Sequence, residues 1–82
     1  MSLITGRQIR AARGLVGWSA REAAEKSGLS LPTIQRLEKH EGVSPTVQNR
    51  TLDDLRRAFE DAGVEFIGSP ENQPGVRFNI KL

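Results

Sequence analysis

The sequence has no cysteine and no tyrosine, and it has a single histidine, tryptophan and methionine. Without cysteine there can be no disulfide framework and no thiolate metal centre, a composition that fits a reducing cytoplasm. His40 has no cysteine or second histidine to join it, so it is not a convincing metal ligand. No apolar run is long enough to span a bilayer, and the start, Met1 to Arg10, lacks the apolar stretch of a secretory signal, so a cytoplasmic rather than a membrane location is expected. No long repeat points to a solenoid. Also missing are a nucleophile–base pair, a phosphate-cradling glycine loop and carboxylates at metal-ligand spacing. Enzymatic activity, a cofactor and a small-molecule effector are therefore not expected. Strong charge of one sign is lacking as well: the net charge is +2. It is unevenly placed, with eight Lys/Arg against four Glu over residues 1–50 and four against six acidic residues over 51–82. A basic first half suits phosphate contact, although an asymmetry this small decides nothing by itself.

What is present is helical punctuation. Eighty-two residues make a single domain, 1–82, with a small core and marginal stability unless a second copy helps. Thr5 with Gln8 three residues on reads as a capping box, and Ile9, Ala12 and Val16 recur at helical spacing, so a first helix is expected from about Thr5 to Gly14, with Arg7 and Arg10 turned outward. Trp18 precedes the Ser19 cap and reads as a hydrophobic staple, more readily than as a base-stacking platform. Ser19 with Glu22 is a second capping box. Ala23, Ala24 and Ser27 form a narrow face of small residues, and Gly28 stops the helix. Ser30 caps a third helix with Pro32 in its first turn. Ile34 and Leu37 face inward, leaving Thr33, Gln35, Arg36 and Lys39 outside. Helix, glycine turn and helix, with small residues at the crossing, is the pattern of a helix-turn-helix whose second helix enters the major groove.

Further on, Ser44-Pro45 predicts a short fourth helix to about Arg50, with Val47 inward. Thr51 with Asp54 predicts a fifth, with Leu52, Leu55, Phe59 and Ala62 inward and Gly63 just past its end. The period then changes from helical to alternating. Val64–Ile67 and Val76–Lys81 read as strands and Gly68–Gly75 as a polar loop between them, so a helical part over 3–62 is followed by a hairpin extension over 64–82. A lone hairpin is barely stable, so its apolar face is expected to pack on the last helix and to supply a dimer contact from Val64, Phe66, Val76, Phe78 and Ile80.

The chain resembles the Cro/C1-type (XRE-like) helix-turn-helix regulators of bacteria and phages, on Arg13, Trp18-Ser19, Glu22, Ala24, Gly28-Leu29-Ser30, Thr33-Ile34 and Arg36-Leu37-Glu38. The resemblance covers about residues 3–62. It implies a mainly α, five-helix, lambda-repressor-like DNA-binding domain, here with a C-terminal β-hairpin, that controls transcription as a dimer on a near-palindromic operator. By the same resemblance Arg13 pairs with Glu38 as a structural ion pair. Leu31, Pro32, Thr33, Gln35 and Arg36 occupy the groove-facing positions. Arg36 can read guanine, with a phosphate clamp or a surface ion pair as the alternative, and Gln35 can read adenine. Ser19 and Ala20 meet backbone phosphate. The family often carries glutamine at the Ala20 position, so the anchor here falls to the backbone N–H groups and Arg21. Ser30 and Lys39 are further candidate phosphate contacts; His40 reads first as a residue near the helix C-terminus, where positive charge is favourable, with a phosphate contact as the alternative. Repression by occlusion is the leading reading. An antitoxin-type protein whose tail binds a protein partner is the second, and an adaptor that has lost DNA binding the third.

Overall fold

A computed structural model describes residues 3–79. In chain order it contains α1 (Gly6–Val16), α2 (Ala20–Ser27), α3 (Leu31–Lys39), α4 (Asn49–Asp61), β1 (Val64–Ser69) and β2 (Asn72–Phe78). The first three helices begin where their caps lie. Thr5, Ser19 and Ser30 each accept a hydrogen bond from the backbone N–H three residues on, and Gln8 and Glu22 return the bond to the caps of α1 and α2. α1 passes through Gly14 and stops only at Gly17. Gly17 and Gly28 close α1 and α2 in the left-handed region, at φ 73° and 76°.

The expected five helices are four among the described residues. Ser44 to Gln48 is a turn and not the short helix anticipated from Ser44-Pro45. Two features explain the difference. The Ser44 side chain is buried with no hydrogen-bond partner among the described residues, so it caps nothing. Only a few residues separate it from the extended Gln48 (φ −78°, ψ 145°), too few for a helical nucleus when two of them, Thr46 and Val47, are β-branched. Val47 packs against the core as expected. α4 starts at Asn49, two residues before the expected Thr51 cap, and no side chain caps it. Its amphipathic stripe holds it instead: Leu52, Leu55 and Phe59 are all essentially inaccessible.

The core gathers Ile4, Ile9, Ala12, Ala23, Ala24, Ile34, Leu37, Leu52, Leu55, Phe59 and Val64. Phe59 is at the centre of a row of rings. Trp18 stacks on it with centroids 5.1 Å apart, and Phe66 meets it edge-on at 6.0 Å. Trp18 is thus a structural residue, packed on α4 rather than offered to bases.

The hairpin is longer and tighter than its sequence indicates. Val64 pairs with Phe78, Glu65 with Arg77 and Phe66 with Val76, and the ladder continues past Ile67 and Gly75 to Ser69 and Asn72. The expected loop over 68–75 shrinks to a turn at Pro70-Glu71. A register shift between Ile67 and Ser69 makes this possible. There Gly68 takes φ 75°, and a Cβ on it would fall 2.1 Å from the Gln73 carbonyl, so only glycine fits.

One buried side chain ties the hairpin to α1. Gln8 accepts from the Thr5 N–H with Oε1, while Nε2 donates to the Gly75 carbonyl at 2.9 Å and the Ile67 carbonyl at 3.3 Å. Replacing it with leucine keeps the bulk but removes its hydrogen bonds to three backbone groups. Gln8→Leu is expected to lower stability by about 1–3 kcal/mol, read as a lower urea midpoint. A midpoint equal to wild type would show that the hairpin does not depend on this contact.

Candidate nucleic-acid interface

α2 and α3 meet across Gly28, with Ala23 and Ala24 buried at the crossing and Leu29 packed against the core. The inner stripe of α3 is fully used: Ile34 and Leu37 are buried. Its outer side carries Pro32, Gln35, Arg36 and Lys39, all exposed and lining one shallow groove. Their spacing of three, four and seven residues places them on one helical face. The other two expected base readers are placed differently. Leu31 is half-buried and packs against the core. Thr33 is half-buried, and its hydroxyl lies 2.8 Å from that of Ser30, so part of its hydrogen-bonding capacity is spent on the cap. Thr33 and Arg36 also border a second hollow with Ser44, Thr46 and Gln48, at the α3–α4 corner.

Among the expected phosphate contacts, Ser19, Arg21, Ser30 and Lys39 are exposed. Ala20 is half-buried against the core, and only its backbone is suited to such a contact. His40 is half-buried at the end of α3, with extended backbone. Of the five candidate dimer residues, Val64 is inside the core at 2% exposure and cannot serve a second chain. Phe66 and Val76 are half-buried on the same core, Phe78 is 38% exposed, and Ile80 lies outside the described residues.

The expected pair between α1 and α3 is present. Arg13 donates from Nε and Nη2 to the two carboxylate oxygens of Glu38, at 2.7 and 2.8 Å, and from Nη1 to the Trp18 carbonyl at 3.1 Å. The hydrogen bonds from Glu38 raise the Arg13 pKa above its ordinary value against the opposing effect of burial, so the guanidinium stays charged wherever the protein is handled. Such a two-point, planar contact fixes the angle between the helices as well as their distance.

Apart from Arg10, the Lys and Arg side chains of the described residues divide into two sets. Arg7, Arg13, Arg56, Arg57 and Arg77 are all in ion pairs, with Glu41, Glu38, Glu60, Asp54 and Glu65. Among the described residues, Arg21, Lys26, Arg36, Lys39 and Arg50 are in none. The uncommitted ones lie on α2, on α3 and in the first turn of α4, so the basic surplus seen along the sequence is concentrated, after pairing, on the helix-turn-helix and its flank. Arg50 was not a candidate from sequence. Its only signal was a place next to a capping pattern, and that pattern does not cap. Arg10, expected simply to project outward, is exposed but donates to the Glu38 carbonyl.

A helix-turn-helix family model matches residues 9–49, half of the chain. The chain belongs to the Cro/C1-type helix-turn-helix family. This is a DNA-binding, non-enzymatic domain family, and the protein is accordingly a DNA-binding transcription regulator in the general sense. Among curated proteins, none matches this sequence. The matched span of this Cro/C1-type domain runs from within α1 to the first residue of α4. It therefore includes the Arg13–Glu38 pair and the whole outer face of α3, and it leaves out most of α4 and the hairpin. No helix among the described residues is long and apolar enough to cross a membrane.

Proposed function

We propose that this protein binds a specific near-palindromic operator in double-stranded DNA as a homodimer in the cytoplasm, associated with the nucleoid, and represses transcription by occluding the promoter. The observation that carries the reading is the set of uncommitted cations around the exposed Pro32–Gln35–Arg36–Lys39 face of α3. Arg36 is exposed and unpaired among the described residues, which suits bidentate donation to guanine O6 and N7, and Gln35 beside it suits adenine N6 and N7. Arg21, Lys39 and the backbone at the start of α2 serve the phosphates on either side, with Ser19, Ser30 and His40. Pro32 offers only apolar contact, suited to a thymine methyl. With Leu31 half-buried against the core, base reading rests mainly on Gln35 and Arg36. Two copies on one face of a duplex would set their α3 helices about 34 Å apart.

The test is Arg36→Ala measured on an operator selected from random duplexes and on single-base variants of it. The expected loss is about 1–3 kcal/mol, with discrimination relaxed at one base pair in each half-site. An equal loss on every sequence would reassign Arg36 to phosphate. For the dimer, Phe78 and Ile67, 38% and 37% exposed, are the hairpin's uncovered apolar side chains among the described residues, and a second copy is the partner proposed for them. Copurification of a different protein in equal amount would favour the antitoxin-type alternative instead.

A further inference from the structure

The end of α3 differs from the ends of the two helices before it. α1 and α2 finish on left-handed glycines whose N–H groups bond back into the last turn, at the Arg13 and Ala24 carbonyls. α3 finishes on His40 with extended backbone (φ −85°, ψ 137°) and has no such closure, although every helix leaves its last four carbonyls unmade. One donor to these carbonyls comes from α1. Arg10 Nη1 donates to the Glu38 carbonyl. One turn later on α1, Arg13 takes the carboxylate of the same residue. At the start of α1 the Gly6 N–H donates to the Gly42 carbonyl at 3.0 Å, and a Cβ on Gly6 would fall 1.8 Å from the His40 carbonyl oxygen and 2.6 Å from that of Leu37. The start of α1 and the end of α3 are in backbone contact there.

We propose that Arg10 is a positioning residue for base recognition: it caps the C-terminal turn of the reading helix from outside and sets that helix's rotation and depth. Glu38 is gripped twice, by its side chain and by its main chain, so α3 can neither roll about its axis nor slide along it without breaking one of the two contacts. Arg36 is two residues and Gln35 three residues before the gripped position. A roll of 10–20° is enough to lose a bidentate base contact while leaving diffuse phosphate attraction intact. The guanidinium also places positive charge at the negative end of the α3 dipole. The inference rests on the reading that α3 enters the major groove. It assigns to Arg10 an effect on specificity that an exposed arginine bound to phosphate would not have.

The experiment compares wild type, Arg10→Ala and Arg10→Lys on the duplex selected with the wild-type protein and on an unrelated duplex, across a salt series. Each protein's melting temperature and the hydrogen exchange of its α3 amides are recorded without DNA. Arg10→Ala is expected to bind the selected duplex about tenfold more weakly, the lower end of what one bidentate base contact is worth. It should bind the unrelated duplex within about twofold of wild type and keep the wild-type salt slope, because no phosphate contact is lost. Arg10→Lys, which retains a charged donor, should recover part of the loss. Equal losses on both duplexes, with a slope lower by about 0.9, would make Arg10 a phosphate ligand and overturn the proposal. Unchanged binding to both would overturn it as well. If wild type shows no preference between duplexes, the operator reading fails on its own. The exchange data then decide the anchoring: faster exchange in the last turn of α3 for Arg10→Ala, and not for Arg21→Ala, supports it, and unchanged exchange sinks it.

Discussion

Phe59→Ala is expected to destabilise the protein by about 3–5 kcal/mol, a large share of the roughly 4–12 kcal/mol that ordinary stabilities of roughly 0.05–0.15 kcal/mol per residue imply for a chain of this length. The size follows from position. Phe59 is fully buried on α4, stacked with Trp18 from the α1–α2 connection and edge-on to Phe66 of β1. Truncation removes the ring that three parts of the chain share, and aromatic contact adds to the burial loss. The cavity cannot close by moving one side chain, because its walls belong to different elements. In urea the variant should unfold at a much lower midpoint than wild type. Phe78→Ala, which truncates a 38%-exposed ring, should cost under about 1 kcal/mol. A loss under about 1.5 kcal/mol for Phe59→Ala would mean that the ring row is not the centre of the core.

Glu38→Ala should be the most damaging change among the polar residues, at about 2–3 kcal/mol. Removing one partner of a fully buried pair costs about 3–5 kcal/mol, and the value here is reduced because the Arg13 side chain keeps 25% of its exposure. The carboxylate is better covered, at 11%. Its loss leaves the Arg13 guanidinium with the Trp18 carbonyl alone. Arg13→Ala should cost less, and the double variant less than the two single losses added together, because the second change removes a charge already stranded. Urea midpoints for the three variants and wild type close the cycle. Simple additivity would show that the pair contributes no coupling and that α1 and α3 are held by packing alone. Because the Arg13 pKa is raised, the guanidinium's contribution is complete below its ordinary value and would fade only at still higher pH, so no loss is expected as the pH rises through neutrality.

The helix-turn-helix was legible because its signals are local. A capping box, a glycine that ends a helix, and an inward pair such as Ile34 and Leu37 each depend on residues three or four apart, and in α2 and α3 they sit where they were expected; α1 instead runs past the expected end at Gly14 to Gly17. The errors fall where local signals compete. Ser44-Pro45 has the form of a helix start, yet the hydroxyl is buried in the α3–α4 corner, where Val47 packs on the core. Thr51-Asp54 has the form of a cap, yet the stripe of Leu52, Leu55 and Phe59 carries α4 two residues further back. The polar stretch 68–75 has the composition of a loop, yet a glycine bulge lets it continue the ladder.

Sequence by itself determined the three capped helices, the outward Gln35–Arg36 pair, and the change to an alternating period after Gly63, because these depend on neighbours along the chain. Tertiary structure decided which cations are spent on ion pairs and which are left over, that Val64 belongs to the core and Leu31 packs against it, and that the start of α1 and the end of α3 meet closely enough to require Gly6 and to bring Arg10 onto a carbonyl 28 residues away. The reason is physical. Caps and periodicity are settled within one turn of helix, whereas charge pairing, close backbone approach and burial depend on segments far apart in the chain that become neighbours only when it folds.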